Sequence, residues 1–392
     1  MICRLLNPIK DYAWGSRSYL QELLDMPDKL GSPLAEVWMG AHPESPSRVV
    51  TSSGEQDLDL FLASQGDSPL PFLFKVLCAD EPLSLQVHPP KALARSGYER
   101  ENALGLPQDS PRRNYRDANH KPEMLLALTS FEALAGIRDY QEIISTIKLL
   151  DLESLPAEFS VFCLEPSPDS LRECFRALLT LAPARRGELI NTVLQTLEDR
   201  PQFPEEIRSA IRLLNEYYPQ DIGSIFPIFI NYIKLEHGDA IYLEPGIPHS
   251  YLRGSGLELM ANSDNVLRGA LTPKHIDVEE FLKACELAPR SPLRVQPATE
   301  MPGFSCFSPP VDEFVLEIIH APCPCLELHS CPSIVLCLQG SSTLSEPDSS
   351  GALKLNLGET AFIIGAKAIR IDGKCVVALA RENRRTKLTN GR

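Results

Sequence analysis

Pro82-Leu83-Ser84-Leu85-Gln86-Val87-His88-Pro89 is the stretch from which the rest of the chain is read. Strand side chains alternate between faces, so Leu83, Leu85 and Val87 point one way and Ser84, Gln86 and His88 the other. An aliphatic row opposite a polar row means that one face packs on a core while the other lines a pocket. A histidine and a side-chain amide two residues apart can touch the same ion, although a lone strand histidine is more often hydrogen-bonded structure. Two further segments repeat the pattern. Asn119-His120-Lys121-Pro122-Glu123-Met124-Leu125-Leu126-Ala127-Leu128 reads as a turn feeding a strand, with Lys121 and Glu123 on one face and Met124, Leu126 and Leu128 on the other. Gly238-Asp239-Ala240-Ile241-Tyr242-Leu243-Glu244-Pro245-Gly246-Ile247-Pro248-His249-Ser250-Tyr251 reads as a strand, a tight Pro-Gly turn and a returning strand that places His249 and Tyr251 together. Gln86, His88, Glu123 and His249 supply two imidazoles, a carboxylate and an amide oxygen, a nitrogen/oxygen set suited to zinc. The competing reading is three unrelated polar contacts in a large β protein.

The bulk properties narrow the class. A chain of 392 residues exceeds one ordinary core, so two or three domains are expected. With 38 basic against 52 acidic residues, the formal charge of −14 argues against nucleic-acid and anionic-membrane partners. The eleven cysteines are scattered singly apart from Cys323-Pro-Cys325, whose spacing matches no metal ribbon. With no charged, apolar leader and no apolar run of membrane-spanning length, a cytoplasmic location is expected.

Residues 1–138 are rich in short β-like runs. Between Asp139 and Tyr218 the period becomes helical: Leu171, Phe175, Leu178 and Leu179 recur, as do Leu189, Val193 and Leu197, then Ile207, Ile211 and Leu214. Ser167-Pro168-Asp169 and Pro204-Glu205-Glu206 carry helix-start signals. The β pattern returns from Pro227, residues 276–286 form a short helix, and a Pro-rich stretch leads to a last β segment. There Leu357-Gly358-Glu359-Thr360-Ala361-Phe362-Ile363-Ile364 echoes Gly238 to Gly246 without a following histidine, which predicts a second barrel without metal. The expected fold is mainly β with an α-helical insertion: two jelly-roll barrels plus a small helical domain. The expected division is 1–138 with 227–290 for the first barrel, 139–226 for the helical insertion, and 291–392 for the C-terminal barrel.

Seven motifs resemble the type I mannose-6-phosphate isomerase family, in that family's order over roughly residues 5 to 280. They are Tyr12-Ala13-Trp14-Gly15-Ser16, Ala35 to Pro43, Pro71 to Leu77, Gln86 to Pro89, Asn119 to Glu123, Ile247 to Tyr251 and Asp264 to Lys274. The resemblance implies a cupin zinc enzyme, one Zn2+ per chain, interconverting mannose 6-phosphate and fructose 6-phosphate. Its metal ligands fall on Gln86, His88, Glu123 and His249, and its catalytic arginine on Arg268. Trp14 and Glu36 match its pocket residues, and Asp264 and Lys274 are counted with Tyr251 among the substrate-binding candidates. The implied partner is a small hexose 6-phosphate, and the protein is expected to act as a monomer.

Such a reaction abstracts a proton beside a carbonyl and leaves an enediolate whose oxygen needs positive charge. Glu258 shares a strand face with Met260 and Asn262, so it is a candidate base; the alternative is a supporting contact to a ligand or arginine. Lys121 is its rival. Lys75, a charge inside Phe72-Leu73-Phe74-Lys75-Val76-Leu77, is with Ser84 a candidate phosphate contact, or else is paired with a carboxylate. Arg268 on spacing alone would be a surface residue paired with Asp264. An oxygenase of this fold would use His-x-His where this chain has Gln86, so the remaining alternative is a non-catalytic sugar-phosphate-binding cupin protein.

Overall fold

The computed structural model describes residues 1–150, 155–298, 302–347 and 351–383. Two antiparallel sheets, of 11 and 10 strands, carry the fold, and a helical unit is inserted into the first. In the 11-stranded sheet Phe72–Ala79 and Glu123–Ala127 flank part of the 13-residue strand His249–Ala261, and Ala240–Leu243 pairs with the outer side of Glu123–Ala127. One face of these strands, with Val76, Leu257 and Leu126, packs between the sheets against Leu316, Phe362 and Ala380. The other face, with Leu77, Leu125, Phe131 and Tyr251, fills the first barrel. The period-2 pattern read from the sequence is therefore a real two-faced sheet.

The long strand bends at Gly254, where φ is +122° and a Cβ would lie 2.7 Å from both the Phe131 ring and the Ser130 carbonyl. Before the bend, His249 to Arg253 pair with Phe131–Ile137; after it, Gly254 to Ala261 pair with Phe72–Ala79. Only glycine fits there. The bend lets one strand contribute to both halves of the barrel.

Helices occupy the expected stretch: Tyr140–Ile147, Glu158–Leu164, Pro168–Leu179, Pro183–Asp199 and Glu205–Tyr217. Ser167 caps the third by accepting from the Ser170 amide, as the Ser-Pro-Asp signal predicts. Their apolar stripes bury Leu171, Phe175, Val193 and Ile211 in a core that continues under the barrel through Leu85, Val87 and Leu267. Val278–Ala284 forms the short helix read at 276–286, capped by Asp277.

Three features differ from the sequence reading. The strand read from Pro82 to His88 is only Leu85–Val87, because prolines flank it on both sides. Residues 1–138 also hold helices, including Lys91–Ala103, whose weakly apolar sequence gives little periodicity. Finally, Ile2–Leu6, Arg48–Thr51 and Gly54–Asp57 join the 10-stranded sheet, where Ile2–Leu6 pairs with Thr360–Ile363. The sheets thus do not part at the expected boundary near residue 291.

Candidate active site

Strand register assembles the site. His249 and Gln86 are direct cross-strand partners, and Gln86 in turn pairs with Arg268 on the Leu267–Ala270 strand. Directly opposed residues share a face, so His249, Gln86 and Arg268 stand in one row. Glu123 arrives from the facing part of the barrel, paired with Met260 and Leu243.

The two imidazoles are fixed in the same tautomer. His88 Nδ1 donates to the Asn265 carbonyl at 2.7 Å, and His249 Nδ1 donates to the Ile247 carbonyl at 2.9 Å. Each Nε2 is left as a lone pair. His88 Nε2 lies 3.1 Å from Glu123 Oε1, and His249 Nε2 lies 3.5 Å from Glu123 Oε2 and 3.3 Å from the Gln86 carboxamide nitrogen. Ligands held ~2.0–2.1 Å from a tetrahedral zinc are about 3.3 Å apart. His88 Nε2 and Glu123 Oε2 are buried without a hydrogen-bond partner, which costs about 1–3 kcal/mol each unless a cation satisfies them. His88, Glu123 and His249 are all buried, with donor atoms within 4.8 Å of one another. Zinc fits this set. Burial pushes His88 down to about 4, aided by Lys121 and His249 against Glu123, so the ring is neutral and ready to bind metal. Burial works against the Glu123 charge, but His88 and Lys121 outweigh it and hold the carboxyl well below its usual range. Gln86 would join by turning its carboxamide oxygen inward, a rotation about one bond.

Above this cluster opens a cavity of about 640 Å3, lined by Tyr12, Trp38, Lys75, Lys121, Arg268 and Lys274 among others. Lys121 links the two levels: it lines the cavity and its Nζ is 3.2 Å from Glu123 Oε1. Arg268 has no carboxylate partner among the described residues. Asp264, its expected partner, instead accepts from His42 Nε2 at 3.2 Å. Burial and then the Arg116 charge push Arg268 down, while burial, Arg268 and Arg116 do the same to Lys274. Arg268, Arg116 and Lys274 thus gather like charges on the cavity wall, which Glu44, Asp264 and Asp277 also line.

Lys75 is clamped rather than free. Trp38, Lys75 and Glu258 form a cross-strand row. Lys75 Nζ is 3.4 Å from Glu36 Oε1 and 3.2 Å from Glu258 Oε2. Glu36 is itself held by Trp38 Nε1 at 2.8 Å. Burial alone would depress Lys75, yet Glu36 and Glu258 raise it above its ordinary value. Burial raises Glu258 despite Lys75, with Glu123 and Glu36 adding to the effect.

The remaining sequence candidates lie as follows. Glu258 is buried behind Lys75 and does not line the cavity. Tyr251 packs inside the barrel with Phe131. Trp14 stacks on Tyr12, which is the member of that motif reaching the cavity. Ser84 is half-buried outside the cavity lining. Sequence reading missed Tyr12, Trp38 and Arg116 as lining residues, because only the register brings their segments together.

Residues 2–140 match the family model of the phosphomannose isomerase type I catalytic domain. Over 375 residues, covering 92% of this chain and 94% of the relative, the sequence is 38% identical to mannose-6-phosphate isomerase of Escherichia coli (strain K12). It is 33% identical to mannose-6-phosphate isomerase of Homo sapiens, covering 91% of each. The fold superposes with a TM-score of 0.89 on the Salmonella typhimurium mannose 6-phosphate isomerase solved with its substrate fructose 6-phosphate and zinc, at 34% identity, covering 97% of this chain and 99% of that one. With identity at this level along nine-tenths of its length, and the motifs seated around one buried metal-ligand cluster, the chain belongs to the type I phosphomannose isomerase family.

Proposed function

We propose that this protein interconverts mannose 6-phosphate and fructose 6-phosphate by moving a proton between C1 and C2, using one zinc ion held by Gln86, His88, Glu123 and His249. The observation that carries this reading is the pair of imidazole Nε2 lone pairs converging on Glu123 beneath a cavity walled by cations. When bound, zinc supplies a redox-inert Lewis acid for the sugar's oxygens, and the rest falls to the chain's own groups. Arg268, without a carboxylate partner among the described residues and in the same cross-strand row as Gln86 and His249, donates to the oxygen on which negative charge develops. Lys274 and Arg116 at the mouth receive the phosphate. Lys121, ion-paired with Glu123, acts as a donor facing the sugar rather than as a base.

Glu258, the candidate base read from the sequence, lies behind Lys75 and off the cavity lining, so it is the supporting contact and does not itself reach the sugar's C–H. Lys75 therefore holds Glu258 and Glu36 in place instead of binding phosphate, and Trp14 and Ser84 support the walls. The protein acts as a monomer in the cytoplasm; among the described residues, no helix is long and apolar enough to cross a membrane.

The test is a coupled assay of purified protein with mannose 6-phosphate, before and after chelation and again after zinc is restored. Formation of fructose 6-phosphate that chelation abolishes and zinc restores is expected. A folded, zinc-replete protein that converts neither sugar phosphate would leave the sugar-phosphate-binding reading in its place.

A further inference from the structure

We propose that Asn265 is the positioning residue that couples the metal ligands to the cationic wall of the cavity. It is fully buried, and its polar groups reach two functional segments. The backbone carbonyl accepts the His88 Nδ1 proton at 2.7 Å, which is what leaves His88 Nε2 aimed at Glu123. The carboxamide nitrogen donates to the Asp117 carbonyl at 2.8 Å and the Asn119 carbonyl at 2.9 Å. The carboxamide oxygen accepts from the Arg116 amide at 2.7 Å and the Asp117 amide at 3.3 Å. Two donors and two lone pairs are thus all used. The segment they clamp begins at Arg116, which lines the cavity, and runs on through Lys121 to Glu123.

The clasp is reciprocal. Asp117 accepts from the Ser263 hydroxyl at 2.9 Å and the Asp264 amide at 2.7 Å, and Ser263 Oγ accepts from the Asn265 amide at 3.3 Å. Asn265 thereby sets the shape of the 116–119 turn from one side and the rotation of the His88 ring from the other. No other side chain of this size offers two coplanar donors beside an acceptor. Aspartate has the shape but lacks the donors, and it would set a carboxylate against two carbonyls and the Asp117 side chain. Groups that orient a metal ligand typically govern affinity by 10- to 100-fold when they are lost.

This inference rests on the zinc-isomerase reading, so its test reads metal binding and not turnover. Zinc affinity is measured by chelator competition, and the ligand field by the visible spectrum of the cobalt(II)-substituted protein, for the parent, Asn265→Ala and Asn383→Ala. Asn383 is the control. It is also a buried asparagine, its carboxamide donates to Ser308 Oγ, Pro309 O and Val311 O, and it lies in the second sheet's domain. Asn265→Ala should weaken zinc binding by roughly 10- to 100-fold and shift the cobalt bands, while Asn383→Ala loses stability with its zinc Kd unchanged. If Asn265→Ala does not fold, Asn265→Asp preserves the volume and predicts the same weakening. A folded Asn265 variant with the parent's zinc Kd and cobalt spectrum overturns the proposal. A parent that binds zinc but isomerises nothing overturns only the enzyme reading, and the Kd comparison still decides the role of Asn265.

Discussion

Replacing Lys75 by methionine removes the one cation between two buried carboxylates. Lys75, Glu36 and Glu258 are 6%, 6% and 3% exposed, so solvent cannot take over. Breaking a buried ion pair from one side costs about 3–5 kcal/mol, because the remaining charge is left uncompensated. For 392 residues at roughly 2 cal/mol/K of unfolding entropy per residue, that lowers Tm by about 4–6 °C. The loss must depend on pH. Lys75 is raised above its ordinary value in the parent, so its contribution is fully present throughout pH 5.5–8 and is lost only at far higher pH. Glu258 is already raised; without Lys75 it rises further, so the folded variant binds more protons than its unfolded chain. Its stability then falls more steeply than the parent's as pH increases. Lys75→Met should therefore lose less at pH 5.5 than at pH 8, read from thermal or urea unfolding of zinc-free protein at both pH values. A variant as stable as the parent, or one more damaged at pH 5.5, would refute the clamp.

Two further outcomes are expected. Arg268→Ala should keep its zinc and its Tm while kcat drops on the order of 10²–10³-fold; steady-state assays beside metal analysis check this, and a kcat within a few-fold of the parent would make Arg268 a bystander. Gly254→Ala places a Cβ against Phe131 and Ser130 at a φ of +122°, so unfolding measurements should show a loss of about 2–4 kcal/mol, and an unchanged denaturation midpoint would contradict the assigned bend.

Much of the site was legible because it sits on short strands, where period two determines facing. Gln86 with His88, and His249 with Tyr251, announce their sides without any knowledge of neighbours, and the capped helix starting at Ser167 follows from local chemistry alone. What was hidden depends on register between distant segments. Lys75 looks equally like a phosphate contact or a paired charge until Glu258 and Trp38 are set beside it. Asp264 looks like the partner of Arg268 four residues on, but His42, over 200 positions away, claims it. The Ile2–Leu6 strand carries no mark of the sheet it joins, because its partner lies at Thr360–Ile363. The Lys91–Ala103 helix escaped notice for the opposite reason: it buries only Ala94, Gly97 and Glu101, too few for a readable stripe.

The central claim is that two histidines and a glutamate hold the zinc on which isomerisation depends. Zinc content by elemental analysis, measured with mannose 6-phosphate turnover in the parent and in a His88→Ala, His249→Ala double variant, tests it most directly. The account predicts about one zinc per chain in the parent, with zinc and turnover lost together in the folded double variant. A double variant that keeps its zinc, or keeps turning over substrate without it, would contradict the account.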